Sequence, residues 1–329
     1  MKKKNGLAAL LLAGILAASA LSGCGSSGQS GFPKNIEVQV PAKAGGGTDV
    51  MARALTTQMA KDSGSNFNVV NNTDGGGVVA METVRTAKND GSKILQFHTT
   101  MLIKTATGVY DKKATEDFKI IAVSQGTEKA SYVLVVSGDS PYNTLEEFLE
   151  GEDVKDTKIG VETGGTAHIM SGLMVKATGI NAKYVEAGSD TEKLTALVGG
   201  TIDCALVNAN QAKQYVESGK AKALAVVSNG EEGARNSVLP DVPSFEEQGV
   251  DCTFATINLF LGPKDMDEET AKKLYDLYVS ASKNDAVNEI LQPAGFAMEF
   301  FSYEDGPQIV ADQQAEIDAV VESLGLKQE

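Results

Sequence analysis

The chain has no tryptophan, only two histidines and only three cysteines among its 329 residues. His98 and His168 lie far apart in sequence, as do Cys204 and Cys252. Such sparse ligands leave little for a metal site or for a nucleophile with its base. Catalytic motifs are missing too. "GGGTD" lacks the Gly-Lys-Ser/Thr ending of a P-loop, and "GGGVVA" lacks the spacing and partner acid of a dinucleotide fingerprint. There is no G-x-S-x-G elbow and no H-E-x-x-H. No cofactor and no metal are therefore expected, and the chain is read as a non-enzyme, with an ester or phosphate hydrolase as the alternative. Turnover of generic esters separates the two. Cations are also in short supply, with 29 Lys and Arg against 44 Asp and Glu, a net charge of −15. That balance argues against nucleic acid and against attraction to anionic lipid. An anionic ligand has to be held by local N–H groups and a few cations against the overall field.

Long apolar runs are absent after the amino end, where "MKKKNGLAALLLAGILAASALSGC" supplies three lysines, an apolar stretch and small residues. This is the layout of a secretory leader, residues 1–23, too short and wrongly flanked for a lasting span. Its ending, "LSGC", resembles the bacterial lipobox, which makes Cys24 the lipidated first residue of the mature chain; a plain leader with an incidental cysteine is the alternative. Residues 24–32, with "GSSGQSG", read as a flexible tether. The expected location is extracytoplasmic, lipid-anchored to the outer face of the cytoplasmic membrane. Loss of Lys2, Lys3 and Lys4 leaves 26 basic against 44 acidic side chains, −18. Cys204 and Cys252 both sit in strand-like apolar runs; free buried thiols are favoured over a disulfide.

From Cys24 onward the chain is long enough for two domains. "IEVQVP" alternates as a strand, "TDVMARALTTQMAKDSG" has helical spacing, "NFNVVNN" is a strand, "GGVVAMETVRTAKNDG" is a helix with its exit at Gly91, and "SKILQFHT" is a strand. The alternation resumes from "TKIGVE" through "KAKALAVVS". Strands alternating with helices predict parallel pairing and an α/β class. Between the halves run "FKIIAVSQG" and "ASYVLVVSGDSP", strand-like with no helix between, and the return is "DCTFATINLFLGP". Paired extended crossings suit a two-strand hinge. Lobe 1 is thus assigned residues 33–131 and 251–329, and lobe 2 residues 132–250. The helical tail, "DEETAKKLYDLYVSASK" and "SYEDGPQIVADQQAEIDAVVESL", is expected to pack on lobe 1.

Ligands of open α/β sheets sit outside the carboxyl ends of the strands. Three glycine-rich turns fall there: Gly45, Gly46 and Gly47 with Thr48 and Asp49; Gly75, Gly76 and Gly77; and Thr163, Gly164, Gly165 and Thr166. Each opens a helix whose first N–H groups and positive dipole end face outward. Thr48 and Thr166 can instead be simple caps. His98 with Thr99 and Thr100 lies at another strand end, and Lys43 and Lys104 are the nearest cations. His168, inside the helix that Thr166 opens, either meets the ligand or packs within lobe 2.

In their order and spacing, "PAKAGGGTDVMARAL", "VVNNTDGGGVVAMETV", "TGGTAHIMSGLM", "LTALVGGTIDCALVN" and "GKAKALAVVSNG" with "LPDVPSFEEQGV" resemble the solute-binding proteins of tripartite tricarboxylate transporters, the Bug or TctC family. The resemblance implies a type II periplasmic-binding-protein fold, two α/β lobes closing on a small carboxylate, di- or tricarboxylate or aromatic acid, without catalysis. It implies membrane transporter subunits as partners and a monomeric receptor. It assigns Gly45, Gly46, Gly47, Thr48, Asp49, Gly75, Gly76 and Gly77 to lobe-1 ligand contacts. Thr163, Gly164, Gly165, Thr166 and His168 are assigned to lobe 2, and Asn208 to the cleft. Two departures stand out: the second loop, "NTDGGG", has no proline, and the return strand has no tryptophan. A ligand-sensing receptor is the further alternative.

Overall fold

The computed structural model describes residues 32–126, 131–151, 156–296 and 298–327. The leader of residues 1–23, Cys24 and the tether up to Gly31 lie outside them. The chain begins with β1 (Asn35–Val40), α1 (Gly47–Ser63), β2 (Asn66–Asn71), α2 (Val78–Arg85), β3 (Lys93–His98), α3 (Thr100–Ala106), α4 (Ala114–Asp117) and β4 (Phe118–Gln125). A second run follows: β5 (Tyr132–Ser137), α5 (Leu145–Glu150), β6 (Thr157–Val161), α6 (Thr166–Thr178), β7 (Ala182–Glu186), α7 (Asp190–Val198), β8 (Cys204–Asn208), α8 (Ala209–Glu217) and β9 (Ala221–Val227). The chain then returns through β10 (Ile257–Pro263), α9 (Glu268–Ser282), α10 (Asp285–Leu291) and α11 (Gly306–Ser323).

Two five-stranded sheets result, ordered β2-β1-β3-β10-β4 and β7-β6-β8-β5-β9. In β1 the alternation turns Ile36, Val38 and Val40 toward Met51, Leu55 and Met59 of α1 and Tyr278 of α9, one apolar layer of lobe 1. The opposite layer is continuous with lobe 2: Leu95, Phe97 and Leu259 belong to the same buried cluster as Leu134, Met170 and Leu206. The β1–β2, β1–β3, β6–β7 and β6–β8 pairs are parallel, as alternation with helices requires. The pairings of β10 and of β5 are antiparallel. Both strands start at the crossings between lobes and run away from the cleft, whereas β1, β3 and β8 run toward it. At the hinge, Gly126, just after β4, donates its N–H to Thr256 O, just before β10, at 2.8 Å.

Several elements differ from the sequence expectation. Helix α2 stops at Thr86, and Gly91 (φ +78°) belongs to the turn into β3, because polar "TAKND" offers no apolar face to extend the helix. Helices α3 and α10 are too short for the periodicity to register. The tail does not pack on lobe 1 alone: α11 also contacts α6, where Leu324 approaches Gly172, and Gln313 Nε2 donates to Ala255 O at 2.7 Å in the return crossing. Cys204 opens β8, but Cys252 lies in irregular chain before β10; both thiols are free and buried. Burial pushes the Cys252 thiol up to about 12 and raises Cys204 as well. Neither should react with a thiol reagent at neutral pH until the protein unfolds, and rapid labelling of the native protein contradicts this packing. Among the described residues no helix is long and apolar enough to cross a membrane. No cluster of three or more His, Cys, Asp and Glu there is placed to hold a metal.

Candidate functional site

A cavity of about 370 Å³ opens between the lobes at the carboxyl ends of β1, β3 and β8. Lobe 1 lines it with Gly45, Gly47, Thr48 and His98, and lobe 2 with Thr166, Asp190, Asn208, Asn210 and Gln211. Tyr132, Thr256 and Asn258 line it beside the crossings, and Phe296 adds an apolar face. The volume is at the low end of the range for small-molecule sites, about 300–1,000 Å³.

Of the helices whose first turns border this cavity, α1 and α6, from opposite lobes, are not closed by a side chain. Gly46 caps α1 and Gly165 caps α6, each without a side-chain hydrogen bond to the first turn. By contrast Thr144, Ser189, Asn208, Asp267 and Asn284 cap α5, α7, α8, α9 and α10 with their own oxygens. The turns before α1 and α6 consume their own donors. Gly45 N–H donates to Asp49 Oδ2 at 2.8 Å and Gly46 N–H to Lys43 O at 3.1 Å. In lobe 2, Thr163 N–H donates to Glu186 Oε2 at 2.9 Å, Gly164 N–H to His168 Nδ1 at 3.2 Å and Gly165 N–H to Glu162 O at 2.9 Å. Glycine is needed at Gly45 (φ +80°) and Gly164 (φ +73°), where the turns pass through left-handed backbone. Gly47 and Thr48 in α1 and Thr166 in α6 line the cavity, and their N–H groups, in the first helical turns, lack intrahelical acceptors by geometry. Each helix adds its dipole, equivalent to roughly half a positive charge at that end. The arrangement suits an anion held between them.

Side chains around the cavity hold this frame. Asp49 is buried, and its Oδ1 meets Arg53 Nε and Asn71 Nδ2, each at 2.9 Å, while Oδ2 takes Gly45 N–H. Burial alone would raise its pKa, but the hydrogen bonds from Arg53, Gly45 and Asn71 outweigh burial and hold it below the usual carboxylate range. Across the cleft, Thr100 Oγ1 and Thr166 Oγ1 are 3.1 Å apart, which joins the openings of α3 and α6. Lys104 is brought beside Gly76; burial lowers its pKa while Glu162 of lobe 2 opposes the shift.

Burial first, then Lys104, lowers the His98 pKa from 6.5 to about 4, so the ring is neutral in the folded protein near pH 7, with Nδ1 accepting Thr100 N–H at 3.3 Å. The unfolded chain takes up this proton first on acidification. Stability from neutral His98 is therefore complete above 6.5 and is lost progressively as pH falls to about 4. Melting temperatures measured across that window should fall, and fall less in His98→Gln; coincident pH profiles for a folded variant contradict the assignment.

The residues singled out by sequence divide accordingly. Gly45, Gly47, Thr48, Thr166 and Asn208 line the cavity. Gly46 and Gly165 are the caps behind them, and Asp49 braces the first turn. Gly75, Gly76 and Gly77 form a 3-10 turn before α2, outside the cavity lining. Thr99 is buried at the hinge, where its Oγ1 accepts Ile257 N–H at 2.8 Å, and Thr100 reaches Thr166. Thr163 and Gly164 shape the second turn. His168 is buried in lobe 2 with its ring 4.7 Å from that of Tyr184, outside the lining. Neither Lys43 nor Lys104 lines the cavity. Sequence reasoning missed Tyr132, Asp190, Asn210, Asn258 and Phe296. One local signal was present for Asp190: "SDTE" is a capping box that fixes the start of α7.

Comparison with known proteins agrees with this architecture. The family model described as "Tripartite tricarboxylate transporter family receptor" (TctC) matches residues 51–326. The "UPF0065 protein in gbd 5'region" of Cupriavidus necator is 25% identical over 99% of both chains. A TctC solute-binding protein from Polaromonas superposes with a TM-score of 0.70 at 26% identity, covering 88% of this chain and 98% of that one. MatC from Rhodopseudomonas palustris, solved with bound malate, gives 0.73 at 23% identity, covering 87% and 98%. With two α/β lobes on a hinge and a model match over most of its length, the chain belongs to the TctC family of tripartite tricarboxylate transporter receptors.

Proposed function

We propose that this receptor captures a small carboxylate between the openings of α1 and α6 and delivers it to the membrane subunits of a tripartite tricarboxylate transporter. The family is one of solute-binding receptors, not enzymes. The observation that carries the reading is the pair of helix N-termini, on opposite lobes and without side-chain caps, that open onto one cavity. Gly47, Thr48 and Thr166 donate to the ligand, and Asn208 adds a polar wall. The open form engages the carboxylate on one lobe, and hinge closure brings up the donors of the other, so ligand favours the closed state by its extra hydrogen bonds there. The bound malate of MatC supports the ligand class. Anchorage through lipidated Cys24 on the outer face of the cytoplasmic membrane, and action as a monomer, complete the proposal.

A ligand that binds only the folded state at 100 times its dissociation constant adds ~2.7 kcal/mol of stability. A thermal-shift screen of di- and tricarboxylates and aromatic acids should therefore give at least one clear upward shift. A response to sugars or cationic amino acids, with none to any carboxylate, overturns the reading.

A further inference from the structure

The described residues of the cavity lining include one carboxylic side chain and no Lys or Arg. Asp190 is the sole Asp, Glu, Lys or Arg among the described lining residues, and His98 is neutral. A carboxylate in the wall of a carboxylate receptor needs a reason, and its setting supplies one. Asp190 is the first residue of α7, fixed by the Ser189–Glu192 capping box. Behind it, Lys193 is 2% exposed and places Nζ 2.6 Å from Asp190 Oδ1 and 3.2 Å from Leu206 O. Asp190 Oδ2 accepts Asn208 N–H at 2.9 Å, which ties α7 to the end of β8. A carboxylate has about four acceptor positions. These contacts use two, and the side chain, 14% exposed, presents the rest to the cavity.

We propose that Asp190, held by Lys193, is a specificity-determining residue that selects a ligand with one carboxylate and, at its other end, a hydrogen-bond donor, a hydroxyl or an ammonium. This rests on the carboxylate reading above and refines it. The carboxylate of the ligand is held by the N–H groups of α1 and α6. The donor at the far end satisfies the free lone pairs of Asp190. A second carboxylate turned toward Asp190 meets a like charge at close range and brings no donor. At longer range the Asp190–Lys193 pair is net neutral, so the wall does not repel the first carboxylate on approach, and only a group at contact with the Asp190 oxygens meets their negative charge.

The test is calorimetric titration of the full-length protein with two matched sets of ligands. One set is succinate, butyrate, 4-hydroxybutyrate and 4-aminobutyrate; the other is terephthalate, benzoate, 4-hydroxybenzoate and 4-(aminomethyl)benzoate. In the set that fits, the hydroxyl or ammonium member should bind at least about tenfold tighter than the diacid, as expected for a charge-assisted hydrogen bond. Asp190→Asn combined with Lys193→Met removes both charges together and avoids a buried unpaired lysine. That double variant should bring the ratio within about threefold of unity. A diacid preferred by the unmodified protein, or a tenfold ratio that survives in the folded double variant, overturns the inference. Equal binding of all members overturns it while leaving carboxylate capture intact, and binding of none overturns both.

Discussion

Thr166→Pro is expected to leave lobe 2 folded and to weaken carboxylate binding by about 10- to 100-fold, the loss of one hydrogen bond to a charged group. Proline is well suited to the first position of a helix, where the N–H it removes has no intrahelical acceptor. The preceding residue, Gly165, already has φ −90° and ψ 171°, the extended conformation that a following proline demands. The helix therefore keeps its geometry and loses a donor that faces the cavity. Thr166→Ala is the control: it keeps the N–H and removes only the 3.1 Å contact with Thr100, so its affinity should change by a few-fold at most. Wild-type affinity in a folded proline variant removes this helix opening from the site.

Asp49→Ala has the next largest expected effect, through the frame of the site. It removes the acceptor of Gly45 N–H and the partner of Arg53 and Asn71 in one step, so three hydrogen bonds to one buried carboxylate are lost together. The cost should be about 1–3 kcal/mol of stability, with a parallel loss of affinity as the turn before α1 relaxes. Arg53 remains half-exposed, which limits the electrostatic part of the cost. The pH dependence has a definite sign. Because the folded pKa lies below 3.8, the contribution of Asp49 is present above that value and is lost as pH falls through the folded pKa. Chemical denaturation of the variant should therefore show a flatter acid limb than the parent. Unchanged stability and affinity together exclude a bracing role for Asp49.

Much of the fold could be read from local pattern. Ile36, Val38 and Val40 in β1, and Met51, Leu55 and Met59 in α1, declare their periods because one face of each must be buried. The antiparallel entry of β5 and β10 was hidden, since strand direction depends on where the chain crosses between lobes and leaves no mark on "YVLVVS" or "INLFLGP". At the site, two of the three glycine turns border the cavity and the third, Gly75 to Gly77, does not, and which N–H groups are left unpaired there did not follow from composition. Thr163, Gly164 and Gly165 spend their donors on Glu186, His168 and Glu162, the first of which comes from the end of β7, folded against the loop. Asp190 and Asn258 reach the cavity only through tertiary packing. In sequence one reads as a helix start and the other as a lone polar residue in an apolar strand.

Amide chemical shifts followed during carboxylate titration provide the most direct measurement. The N–H resonances of Gly47 and Thr48 in α1 and of Thr166 in α6 should move together along one binding curve, because a single anion contacts helix openings from both lobes. Movement confined to one lobe, or saturation of binding with all three amides unperturbed, contradicts capture between them.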